Sequence, residues 1–222
     1  MSGFDAVWSR DGTNTMSKGT FAFAVSAWTF AGILATMVAS NVSQSWELNW
    51  PIFIALFVVT FLGVAISVMS DNPLVSFIGY AMLSVAFGLM LGPIIATYTT
   101  ASVVKVFLVT SGVVAGLGLV GALIPRSLES WASWLLGALV LLLVGYFIVP
   151  IAGAFGLDVG GALTVIDWIA IVIFCACVVF DWNRAMRVPR TADNAIDCGV
   201  AIYLDWLNIF IRLLAIMGKT RG

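Results

Sequence analysis

The chain has 222 residues, 62% of them hydrophobic and only 9% charged, with a mean hydropathy of +1.10 and a formal net charge of −1. A water-soluble domain carries about 25% charged residues, so this chain cannot cover a surface facing water, and its charge offers no basic patch for nucleic acid. Histidine is absent, which removes the commonest metal ligand, general base and pH switch; with no zinc spacing, phosphate loop or nucleophile elbow either, neither an enzyme nor a tightly bound cofactor is expected.

Residues 1–20, MSGFDAVWSRDGTNTMSKGT, are polar and hold no apolar signal core, which predicts a short soluble tail and no cleavable signal peptide. A lipid core about 30 Å thick needs about 20 apolar residues per helix. Seven segments qualify: Phe21–Ala39, Pro51–Met69, Leu74–Thr97, Ser102–Ile124, Trp131–Gly153, Ala162–Phe180 and Ala195–Met217. Helices are the expected spanning element because each satisfies its own backbone in lipid. The fold class is therefore all-α, a polytopic membrane protein of seven spans over 21–218, ending in a short tail at 219–222.

Charge in the connections sets the orientation. With the N-terminus inside, the inner side holds Arg10, Lys18, Arg126, Arg184, Arg187 and Arg190, and the outer side Lys105, Lys219 and Arg221. Six against three predicts N-terminus in and C-terminus out. Trp46, Trp50, Trp131, Trp134, Trp168 and Trp182 fall near predicted helix ends, where indole rings anchor at the interface. Gly88/Gly92 and Gly112/Gly116 form two GxxxG pairs, followed by Gly118 and Gly121, suited to close helix packing. Gly92-Pro93 falls mid-span, where a proline kink frees carbonyls that can shape the helix or line a cavity. Cys175 and Cys177, two apart on one helix, read as small apolar fillers rather than a redox pair, and with Cys198 the odd count gives no disulfide framework.

The last two spans carry the acids. Asp181 closes the sixth span, and Asp205 lies inside the seventh. On a helix, Asp197, Ala201, Asp205, Asn208 and Arg212 fall at steps of 4, 4, 3 and 4, one stripe that cannot face lipid. A short loop makes spans six and seven antiparallel neighbours, so the sequence permits Asp181 and Asp205 to meet. If they do, the two carboxylates share a proton; losing it would part the helices and leave an oxygen site suited to a hard cation such as Ca²⁺. A plainer reading also fits. Arg184 at i+3 gives Asp181 an ordinary ion pair, Arg212 snorkels outward, and Asp205 bonds Asn208 or a neighbouring helix. Asp167 reads as interfacial, and Asp193 and Asp197 as acids of the first helical turn.

The stretch AIYLDWLNIFIRLLAIMG, 201–218, and the run FGLMLGPIIATYTTASVVKVFLVTSG, 87–112, resemble the closing signature and the G-P helix of the Bax inhibitor-1/YccA-like (transmembrane Bax inhibitor motif) family, over Phe21 to Gly218. The resemblance implies six helices around a central seventh and a pH-sensitive calcium leak or Ca²⁺/H⁺ exchanger. It also implies a latch of paired aspartates, here Asp181 and Asp205 by motif position, and a bacterial inner membrane as the address. Some family members add an arginine in the second helix; PIFIALFVVTFLGVAISVM has none. A second function carried by the resemblance is partnership with the membrane protease FtsH, for which the polar tail 1–20 would be the handle. An intramembrane aspartyl protease is the third reading, and the contexts VFDWN and YLDWL lack its flanking glycines.

Overall fold

Each break in the apolar pattern carries a residue able to start or stop a helix. Ser17 caps α1 (Lys18–Val42), its Oγ accepting the Thr20 N–H. Asn49 and Asn72 do the same for α2 (Trp50–Met69) and α3 (Pro73–Ala96), each with a proline in the first turn. Such caps satisfy amide groups that the helix itself leaves unpaired. Then follow α4 (Thr100–Leu123), a 3₁₀ turn (Glu129–Trp131), α5 (Ala132–Ala154), α6 (Gly160–Ala185) and α7 (Ala192–Met217). The structure, a computed structural model, describes residues 15–221.

All seven predicted spans are helices long and apolar enough to cross a membrane, and no strand occurs among the described residues beyond the isolated pair Tyr98 and Thr220. Boundaries shift at the ends. The predicted tail 1–20 stops at Ser17, and 1–14 lie outside the described residues. Thr15 and Met16 are tied down, both N–H groups donating to the Arg190 carbonyl while Arg190 Nε donates to the Met16 carbonyl. At the other end the Arg221 N–H donates to the Thr97 carbonyl, so the predicted tail at 219–221 is likewise held. The sixth span runs past Asp181 to Ala185, and α7 starts three residues early, because Thr191 Oγ1 accepts the Asn194 N–H.

The chain divides into two compact units, one of 15–99, 185–203 and 220–221, the other of 100–184 and 204–219. In the first, α2 and α3 cross at two glycines. A Cβ on Gly63 would stand 2.7 Å from the Gly79 carbonyl oxygen, and one on Gly79 2.7 Å from that of Gly63. Gly88 and Gly92 sit as closely on α1, against Thr36, Ala39, Ser40 and Ser43. That contact accounts for Gly92. Pro93 lies not mid-span but in the last turn of α3, because the helix begins at Pro73 and ends at Ala96. The carbonyl its ring deprives of a donor belongs to Leu89, seven residues before the helix ends at Ala96.

In the second unit, Gly118 and Gly121 pack against Val179 and Trp182 of α6, whereas a Cβ on Gly112 or Gly116 would meet nothing within 4 Å. The second GxxxG pair is thus an open face, and the working glycines of α4 lie one turn further on. Trp182, expected at the interface, is a packing residue. Trp46, Trp50, Trp131, Trp134 and Trp168 are exposed, Trp50 and Trp134 most of all at 77% and 83%. α5 has one buried side chain, Leu142, as a helix apolar all round can when its solvent is lipid.

Candidate functional site

α7 is the most buried of the seven spans, 56% of its apolar window against 0% to 50% for the others. Its first half belongs to the first unit. There Tyr203 is fully buried, its ring set edge-on to Tyr80 at 5.5 Å. Thr36 Oγ1 donates its one proton to the Ser84 carbonyl, so Tyr203 must donate to Thr36 Oγ1, at 2.6 Å. At the start of α7, Asp193 is also buried and accepts from Ser76 Oγ at 2.7 Å, which fits its expected place in the first turn.

From Leu204 onward α7 belongs to the second unit with α6, and here the two acids come together. Asp205 is 5% exposed, and its carboxyl lies within side-chain hydrogen-bond reach of Asp181. Asp205 Oδ2 is buried with no hydrogen-bond partner among the described residues. A carboxylate pair facing each other has no donor unless it holds a proton. Arg184, exposed and one turn beyond Asp181, is the cation that acts on it. Cys177, buried, lies within electrostatic range of both acids, and Cys175 within range of Asp205. No disulfide joins the cysteines.

Trp206 faces α4. Its Nε1 donates to Ser111 Oγ at 3.1 Å, and its ring packs edge-on to Phe107 and stacks on Phe210. These contacts fix the rotation of α7 that turns Asp205 toward Asp181.

The rest of the predicted stripe disperses. Asp197 belongs to the first unit. Asn208 donates to the carbonyl of Leu204 on its own helix, so it is not the partner of Asp205. Arg212 neither snorkels nor joins the latch; it pairs with Asp167, Nε to Oδ1 at 3.6 Å, with its guanidinium 4.1 Å from the centre of the Tyr146 ring. The Tyr146 hydroxyl donates to the same Asp167 oxygen at 2.6 Å. Asp167, expected at the interface, therefore has two partners eight residues into its helix.

Asn183 escaped the sequence reading. It is 2% exposed. Its Oδ1 accepts the Leu128 N–H, and its Nδ2 is shared among the carbonyls of Gly121, Ile124 and Arg126. It caps the C-terminal end of α4 from α6, two residues from Asp181, satisfying carbonyls the helix leaves unpaired. A polar residue beside DW at a helix end looks like a loop residue, so only its neighbours show the role. Asn183→Ala is expected to destabilise the protein by about 1–3 kcal/mol by stranding these groups. Thermal unfolding in detergent checks this, and an unchanged midpoint would show that water replaces the amide.

A profile of the family described as "Inhibitor of apoptosis-promoting Bax1" matches residues 13–222. The chain is similar to the inner membrane protein YbhL of Escherichia coli K12, 24% identical over 151 residues, which are 64% of this chain and 62% of that protein. An uncharacterized protein of Deinococcus radiodurans is 26% identical over 221 residues, 91% of each chain. An uncharacterized membrane protein of Streptococcus pyogenes serotype M3 is 29% identical over 151 residues, 64% of this chain and 62% of its own.

Proposed function

We propose a function from one premise: the chain belongs to the Bax inhibitor-1 family. It is a multi-pass membrane protein, and the reading that its site supports best is a pH-sensitive cation leak, with Ca²⁺ as the transported ion. The address is the cytoplasmic (inner) membrane of a bacterium, with the N-terminus in the cytoplasm. The observation that carries the reading is the buried meeting of Asp181 and Asp205 on two adjoining spans.

The chemistry runs as follows. With one proton between them, the two carboxyls form a strong hydrogen bond that ties α6 to α7. Without it, two charges at about 4 Å and an effective dielectric of about 20 repel by about 4 kcal/mol. That is enough to shift an open-to-closed ratio by up to about a thousandfold. The parted pair offers two hard oxygen ligands, which suit a calcium ion in passage. Rising pH therefore opens the latch and falling pH closes it. With no arginine in α2 and Arg212 held by Asp167, Arg184 is the cation left to tune the pair.

The test is Ca²⁺ flux into liposomes holding the purified protein, across pH 5 to 8. Flux that rises with pH supports the reading. No flux above empty liposomes at any pH, from folded protein, removes it and leaves partnership with FtsH, testable by pull-down from solubilised membranes, as the alternative.

A further inference from the structure

Arg212, Asp167 and Tyr146 form a second polar cluster in the same unit, on α7, α6 and α5, and the latch does not use it. Asp167 stands eight residues inside α6 and Arg212 five residues from the end of α7, about 11 Å and 8 Å along their helices. Both are within membrane depth, where ionised side chains mark ion routes or pair with one another.

The pairing is loose. The ion-pair distance is 3.6 Å, and Arg212 Nε is buried with no hydrogen-bond partner among the described residues. Asp167 Oδ1 already accepts the Tyr146 hydroxyl. The forked, two-bond geometry that makes arginine–carboxylate pairs strong is missing. What remains is a positive charge resting on a tyrosine face and against a carboxylate, with neither charged side chain fully enclosed, at 25% and 14% exposure.

We propose that Asp167, with the Tyr146 hydroxyl, is a second cation site on the α6–α7 pair, and that the Arg212 guanidinium is a tethered cation holding it closed. A hard metal cation binds there when Arg212 swings away on its flexible stem. The site would then be a second station for the ion that the Asp181–Asp205 latch admits, and in that respect it rests on the leak reading. Its own content is narrower: the charge of Arg212 competes with a metal cation for Asp167.

The probe is Tb³⁺, a hard cation whose emission is sensitised by nearby aromatic rings such as Tyr146 and Trp168, titrated into purified full-length protein in detergent. Arg212→Gln is expected to bind Tb³⁺ more tightly than wild type. The gain should lie between about fivefold and a thousandfold, the span for a unit charge at about 4 Å from a wet to a half-buried setting. The gain should vanish in Arg212→Gln/Asp167→Asn and persist in an Asp205→Asn background, which separates it from the latch. Arg212→Met, which keeps an apolar stem, is read the same way if the glutamine variant is unstable. No gain in either variant, or a gain that survives loss of Asp167, overturns the proposal.

Flux gives an independent sign. Arg212→Gln should raise Ca²⁺ flux and Asp167→Asn, which strands a positive charge, should lower it. If both change flux the same way and the double variant restores it, the cluster is only a clasp. If wild type carries no Ca²⁺ and the Tb³⁺ gain still appears, the leak reading fails while this site stands.

Discussion

Asp205→Asn is expected to abolish the pH dependence of Ca²⁺ flux between pH 5 and 8 and to hold flux at the closed level. An amide keeps the shape of the carboxyl and donates permanently to Asp181, as the shared proton does, but cannot lose that proton. The repulsion of about 4 kcal/mol that opens the latch therefore never develops, and a change of up to about a thousandfold in the open fraction collapses to none. Asp181→Asn should act alike, since the effect belongs to the pair. Liposome flux at several pH values measures it, with thermal unfolding as the control for folding. An Asp205→Asn protein that still conducts with the wild-type pH profile would make the buried acid a structural residue.

The second large effect concerns the crossing of α2 and α3. Gly79→Leu is expected to cost about 3 kcal/mol or more and to abolish accumulation of folded protein. The new Cβ would meet backbone atoms of Gly63 and Ser67, which no rotamer change can clear. Gly112→Leu is the matched control. It adds the same side chain where nothing lies within 4 Å, on a face that lipid can cover, so its thermal midpoint in detergent should stay near that of wild type. Equal yield and stability for the two variants would mean that α2 and α3 do not approach as closely as their backbones do here.

The two GxxxG-like sets of α4 show where sequence reading stops. Gly112/Gly116 and Gly118/Gly121 look alike on paper, since spacing records only that small residues share a helix face. Whether another backbone lies against that face depends on a helix elsewhere in the chain, and here Val179 and Trp182 choose the second set. The crossing of Gly63 with Gly79, where each would press a Cβ on the other's backbone, has no spacing signature because its two members lie on different helices.

What the sequence determined by itself follows from the solvent. A chain this apolar must live in lipid, lipid leaves its backbone no partner but itself, and so seven apolar segments became seven helices with polar caps between them. The helical repeat also placed Asp205 on a face that cannot meet lipid, and a short loop made Asp181 its permitted neighbour. The tertiary structure alone decided which groups those faces meet. It gave Arg212 to Asp167 and Tyr146, turned Asn208 back on its own helix, set Asn183 under the end of α4, and brought Asp205 to Asp181. A period fixes the direction of a side chain from its own helix axis, whereas its partner is fixed by how separate helices pack, and that is decided by the close fit of residues far apart in the chain.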